Sequence, residues 1–143
     1  MNVNAEIWGP YYWFFLHTIS LHYPSNPTDT LKKKYFDLIN NFYLFIPDLK
    51  ISNEFSELIS KYPVSPFLDS KKSFIHWVHF IHNKINMHLG KPKSSLKNFY
   101  LNYYELTKPK QAQDLLYKNW TNKLIFLIFL MFLLGIIVYL YQI

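Results

Sequence analysis

The run "LIFLIFLMFLLGIIVYLY", Leu124 to Tyr141, constrains the fold more than any other feature: eighteen residues without a charged side chain. At a helical rise of about 1.5 Å per residue it covers roughly 27 Å, enough for a bilayer core with slight thinning or help from its flanks. A helix buried in a soluble domain ordinarily keeps a polar stripe. This one has none, and only Gln142 and Ile143 follow it. We therefore read 124–141 as a transmembrane tail anchor inserted in membrane lipid. Lys108, Lys110, Lys118 and Lys123 precede it, which by the positive-inside tendency keeps the preceding domain on the cytosolic side. The opening "MNVNAEIWGP" has neither the basic region nor the apolar region of a secretory signal.

Setting aside the anchor and a basic linker, 107–123, leaves 1–106, a usual size for one compact domain. The formal charge of +6 comes from lysine alone, with no arginine. Beside a membrane such a surface can hold anionic headgroups. No basic run or recognised motif points to nucleic acid, so none is expected as a partner. Cysteine is absent, which removes disulfides, thiolate nucleophiles and cysteine metal sites together.

Helix signals fill the domain. Pro10 suits a first turn, and a helix then runs through Trp13, Leu16, His17 and Ser20 until "HYPSNP" ends it. Thr28 or Asp29 can cap a second helix with Leu31, Tyr35, Leu38, Ile39 and Phe42 on its stripe. After Pro47, Asp48 can cap a third helix through Phe55, Leu58 and Ile59. "KYPVSPF" reads as a loop, and Asp69 or Ser70 caps a fourth helix reaching about Leu89. Gly90 suits the left-handed position after that helix, and Pro92 forbids its continuation. A shorter helix follows, roughly 94–106. No segment alternates with period two, so the fold class is all-α: a four-helix bundle with a short fifth helix, plus the C-terminal transmembrane helix.

The fourth helix carries an unusual side. His79, His82, Asn83 and Asn86 recur on neighbouring turns. His76, His79 and His82 lack the further Asp, Glu or Cys ligands of a zinc site, so no metal is expected, and His76 and His88 read as solvated. No nucleophile turn, phosphate loop or carboxylate pair suggests hydrolysis. On the first helix, Trp13 and His17 project together at i, i+4. Aromatic faces are more often core than cofactor sites. Yet imidazole, indole and amide groups on two facing helices also suit a flat heteroaromatic ligand with a ribose and a diphosphate.

Two stretches match a known family. "WGPYYWFFLHTISLHYP" resembles the WGPxxWxxLH…YP helix of the Erv/ALR family of FAD-linked sulfhydryl oxidases, at Trp8, Gly9, Pro10, Trp13, Leu16, His17, Tyr23 and Pro24. "WVHFIHNKINMHLGKP" is similar to its W…HNxVNxxLGKP helix, at Trp77, His82, Asn83, Asn86, Leu89, Gly90, Lys91 and Pro92, with Ile85 at the valine position. The resemblance covers roughly residues 5 to 106. It implies FAD at the mouth of a usually dimeric bundle. The implied flavin contacts are Gly9, Trp13, His17, Tyr23, His82, Asn83, Asn86 and Lys91.

The chain departs from the family at its redox centre, a CxxC after a proline at the start of the third helix. The matching stretch "IPDLKIS" has Asp48 and Ile51 at the two cysteine positions, and the structural disulfide after LGKP is missing too. Neither a carboxylate nor a branched alkyl group can exchange disulfides. No catalytic residue is therefore expected. Three readings follow: a flavin-binding pseudoenzyme acting as a scaffold, homodimer or heterodimer partner of an active relative; an oxidase acting directly on small thiols or on a thiol-protein partner; and a structural bundle without cofactor. We favour the first. The richness in Asn, Lys, Ile, Tyr and Phe fits an AT-rich source. Large DNA viruses encode proteins resembling this family, which implies a host or virion membrane.

Overall fold

The structure is a computed structural model that describes residues 4–141, with only the backbone described over 110–116. Among these residues it is built from six α-helices: α1 (Ala5–Leu21), α2 (Asp29–Asn41), α3 (Leu49–Lys61), α4 (Lys71–His88), α5 (Leu96–Thr107) and α6 (Lys110–Tyr141). The chain divides into two compact units after Leu101. The first is a four-helix bundle, α1 to α4, with the start of the short fifth helix.

The helices α1 to α4 each begin where a polar side chain satisfies a free backbone N–H. The Asn4 side chain accepts from the Glu6 N–H at 2.9 Å, so α1 starts well before the expected first turn and holds Pro10 in its interior. Proline there takes away the bond to the Glu6 carbonyl, but that residue is exposed and water can replace it. Thr28 caps α2 through the Leu31 N–H. Asp48 caps α3, its Oδ1 accepting from the Ile51 N–H at 3.0 Å. Ser70 rather than Asp69 caps α4, accepting from the Ser73 N–H, while Asp69 pairs with Lys32 at 2.7 Å.

α2 ends earlier than its apolar stripe suggests. From Phe42 to Phe45 the chain tightens into a 3-10 turn, which still buries Phe42, and Pro47 follows before the Asp48 cap. Ser65–Phe67 form a second 3-10 turn inside the expected loop. At the end of α4, Gly90 has φ of 68°, the Lys91 N–H bonds to the Asn86 carbonyl, and the Gly90 N–H bonds to that of Met87. This pair of bonds closes the helix as a Schellman motif and fixes where Lys91 leaves it.

α1 packs chiefly on α4, and α3 packs on α4 as well. The core between them is unusually aromatic. Phe42, Phe55, Phe74 and Trp77 are buried with Leu16, Ile39, Val78, Ile81 and Ile85, each large apolar side chain contributing about 1.5–3 kcal/mol. The Trp77 Nε1–H is satisfied by the Tyr62 carbonyl at 2.9 Å.

The second unit holds the end of α5 and all of α6. α6 starts at Lys110, so most of the segment assigned to the linker is helical and continuous with the apolar run. Over Tyr117–Tyr141 it is long and apolar enough to cross a membrane, and none of that stretch is buried against protein.

Candidate functional site

The polar-aromatic residues of α1 and α4 meet where these helices pack. His17 Nε2 and His82 Nδ1 lie 2.9 Å apart in a hydrogen bond linking residues 65 positions apart in sequence. The Trp13 indole stacks on the His82 ring, with centroids 4.0 Å apart and planes within 11°. Phe99 of α5 adds a fourth ring, 4.2 Å from that of His17. One indole, two imidazoles and one phenyl ring thus form a continuous cluster.

His17 is only 5% exposed, and its buried Nδ1 has no hydrogen-bond partner among the described residues. In a neutral pair one imidazole donates and the other accepts. Nδ1 of His17 is then left with either a bare lone pair or a bare N–H. A buried polar atom in that condition costs about 1–3 kcal/mol unless something polar meets it.

Burial keeps these rings neutral. It lowers the pKa of His17 to about 3, helped by the neighbouring His82 and His79. Burial likewise lowers His82 to about 4, with His79 and the Lys91 ammonium adding to the effect. His79 is lowered by burial as well, opposed in part by the carbonyls of Ser94 and Ser95.

The other residues singled out from sequence divide into two groups. Gly9 lies on the Trp13–His17 side of α1, two turns before His17, and a Cβ added there would meet nothing within 4 Å. The half-buried Asn86 side chain makes no hydrogen bond among the described residues, and Lys91 is exposed near His82. These groups remain available to a ligand.

Tyr23 and Asn83 are engaged elsewhere. Tyr23 is 1% exposed, donates its hydroxyl to the Leu68 carbonyl at 2.8 Å, and packs edge-on against Tyr35 and Phe74. Its place is in the core. Asn83 donates to the Ser94 carbonyl at 3.0 Å and accepts from the Ser94 N–H at 2.9 Å. It pins the segment after α4 and so positions the start of α5. Phe99 and Ser94 were not singled out from sequence. Phe99 sits on a helix of mixed polarity, and Ser94 acts through its backbone, which no side-chain pattern can report.

The start of α3 contains no redox group. Asp48 is a helix cap, and Ile51, whose N–H it binds, is 8% exposed in the core. A helix N-terminus stabilises negative charge, whether thiolate or carboxylate. Here the carboxylate occupies it. Among the described residues no three His, Cys, Asp or Glu side chains are grouped to hold a metal.

The Erv1/Alr family matches residues 10–105, which include both halves of the His17–His82 pair and the cap at Asp48. The chain belongs to the Erv1/Alr family. The probable FAD-linked sulfhydryl oxidase of Acanthamoeba polyphaga mimivirus is 33% identical over 90 residues, covering 62% of this chain and 63% of that protein. The mitochondrial FAD-linked sulfhydryl oxidase erv1 of Schizosaccharomyces pombe is 35% identical over 80 residues, 56% of this chain and 44% of that protein. The chain thus spans less than two thirds of the length of these curated relatives. Among solved structures, the FAD binding domain of Erv1 from Saccharomyces cerevisiae superposes with a TM-score of 0.65 at 26% identity, over 73% of this chain and 97% of that one. Within this family member, the bundle therefore corresponds to the FAD binding domain of the yeast protein.

The donor set fits such a cofactor. Among the described residues the unpaired Nδ1 of His17, the unbonded amide of Asn86 and the Lys91 ammonium offer a ring-edge partner, a hydrogen-bonding amide and a phosphate partner, near a half-buried indole–imidazole stack.

Proposed function

We propose that this chain is a membrane-anchored, FAD-binding pseudoenzyme of the Erv1/Alr family, a scaffold or dimer partner that keeps the cofactor pocket and has lost the thiol relay. One contrast carries the reading. The α1–α4 cluster keeps an unpaired, buried imidazole nitrogen beside stacked rings, whereas the two positions matching the family's cysteines are a cap and a core residue.

When bound, FAD would supply a two-electron acceptor. The Trp13–His82 stack would offer it an aromatic surface, His17 and Asn86 would hydrogen-bond its polar edges, and Lys91 would neutralise phosphate charge. Gly9 would let a flat group approach the α1 backbone. Asn83 would act indirectly, by holding the segment that carries Lys91 away from α4. Burial keeps His17 and His82 uncharged near neutral pH, so they bind through hydrogen bonds and stacking rather than charge. No side chain of the 143 can attack or exchange a disulfide.

α6 would insert as a single span in a host or virion membrane of a large DNA virus, with the bundle on the cytosolic side. Viral relatives, including one from African swine fever virus, support that setting. The apolar outer side of α1, with Ile7 and Tyr11 67% and 72% exposed beside Phe15, supports pairing with a second copy or an active relative.

The test is the visible spectrum of the full chain purified in detergent. A flavin band with a resolved shoulder, and no oxygen uptake with dithiothreitol beyond that of free FAD, is the expected result. Sustained uptake would favour direct oxidation of small or partner thiols. A folded protein that stays colourless after incubation with FAD would leave a structural bundle. Cross-linking and light scattering report the dimer, and protease protection of sealed vesicles reports the topology.

A further inference from the structure

A second concave surface lies away from the histidine cluster, between the end of α3, the 3-10 turn after it and the middle of α4. It is a groove of about 490 Å³. Tyr62, Pro63, Pro66, Phe67 and Phe80 line it, with the edge of the buried Trp77 among them. Two features show that its shape is fixed. The Trp77 indole is tied to the Tyr62 carbonyl, and Tyr62 meets Phe80 edge to face at 5.0 Å and 85°. Phe67 and Phe80 are nevertheless each 38% exposed.

The electrostatics of the rim are one-sided. The Lys84 ammonium lies 5.3 Å from the Phe80 ring centre and 5.6 Å from that of Tyr62, and the Lys61 ammonium lies 5.6 Å from the Tyr62 ring. Among the described residues neither lysine has a carboxylate within 4.0 Å, although Lys32 and Lys108 both do. Two cations are thus held against the aromatic wall by ring faces alone, and each keeps donors free for an anion.

We propose that this groove docks an acidic peptide segment of a partner protein, one large apolar side chain entering between Phe67 and Phe80 while flanking carboxylates meet Lys61 and Lys84. The open, proline-edged form suits an extended segment, since aromatic and proline surfaces bind side chains at low entropic cost. The unmatched positive rim selects acidic over basic neighbours, which governs specificity and association rate. Nothing in this site involves the α1–α4 cluster, so it works with or without a cofactor.

The test is fluorescence anisotropy with the full chain in nanodiscs of uncharged lipid. The probe is the peptide Asp-Glu-Phe-Glu-Asp carrying a neutral dye. We expect saturable binding that weakens as salt rises, and about tenfold weaker binding when Lys61→Gln and Lys84→Gln are combined. Lys61 is exposed and the half-buried Lys84 makes no hydrogen bond or ion pair among the described residues, so that variant should keep its helical circular dichroism and melting temperature. Phe80→Ser should remove binding, with the lysine variant guarding against a folding artefact. Equal binding of Lys-Lys-Phe-Lys-Lys, unchanged binding by the double variant, or no binding of the acidic peptide would each overturn the proposal. So would binding of dodecanoate without the peptide, which would assign the groove to a lipid-like anion.

Discussion

The α1–α4 cluster and the first turn of α3 are both short polar features set in an aromatic core, and they differ in how complete they are. At the first turn of α3 the Asp48 carboxylate takes the Ile51 N–H, and the Ser52 hydroxyl donates to the Tyr43 carbonyl at 2.7 Å. Further along α3, the buried Glu54 Oε2 makes no hydrogen bond among the described residues and has the His88 imidazole at 3.5 Å. In the cluster, His17 Nδ1 has no hydrogen-bond partner among the described residues. A region that only stabilises the fold tends towards full pairing, because each unmet buried group costs about 1–3 kcal/mol. Unlike Glu54 Oε2, the His17 nitrogen lies in a cluster of stacked rings, which is the ground for proposing that a ligand meets it there. The first turn of α3 holds a cap and a core residue in the position where the family resemblance puts its chemistry.

Restoring chemistry to α3 is the strongest way to break this contrast. Replacing Asp48→Cys and Ile51→Cys together places two thiols three residues apart at a helix N-terminus, where the thiolate is favoured. We expect oxygen uptake with dithiothreitol to go from the level of free FAD in the natural chain to clear turnover in the double variant. If the natural chain already turns over as fast, the cluster alone suffices and α3 was never the missing part.

The cluster itself is tested by His17→Phe. This change keeps the ring packing on Phe99 but takes away both imidazole nitrogens. Flavin affinity should fall about 10- to 100-fold, as expected for lost hydrogen bonds in a buried site. Titration of FAD followed by fluorescence quenching measures it. Tyr23→Phe supplies the contrast. It should cost stability through the Leu68 bond, about 1 kcal/mol, and leave flavin affinity unchanged.

The scaffold was the more legible part of the molecule. Caps at Thr28, Asp48 and Ser70 and the stop at Gly90 are local signals, since each depends on a side chain and an N–H within three residues or on one left-handed glycine. The start of α1 was misread because Pro10 is a strong marker of first turns and Asn4 a weaker one. The cluster was only half legible. His17, His82, Asn83 and Asn86 stand out by type and spacing, and the family motifs contain them. That His17 and His82 bond to each other, while Asn83 turns away to Ser94, depends on how α1 and α4 cross, and no periodicity encodes that. Tyr23 shows the reverse: a motif position whose hydroxyl the core had already engaged.

Acid should sharpen the comparison at moderate cost. His17 and His82 have pKa values lowered to about 3 and about 4, against about 6.5 in the unfolded chain. Between those limits the unfolded state binds more protons, so stability falls as pH falls from about 6.5 towards 3 and is fully present above that window. From pH 7 to pH 6 we expect a loss of about 1 kcal/mol, seen as a melting temperature roughly 5 °C lower. His17→Phe should flatten the profile, whereas Asp48→Asn should not.

Asp48→Asn is also the gentlest probe and the one that links the two regions. Asparagine caps a helix about as well as aspartate, so thermal stability should change by no more than roughly 0.3 kcal/mol. The charge is nonetheless removed. If flavin bound at the cluster extends its ring towards the start of α3, as the family resemblance implies, a carboxylate there opposes the arrival of electrons, and its removal should raise the midpoint potential by roughly 20–50 mV. Potentiometric titration of the natural chain and the variant reads this directly. An unchanged potential, with flavin still bound, would separate the two regions completely. Asp48 would then be a cap and nothing more, and substitution at α3 would have removed the relay without altering the electrostatics of the retained site.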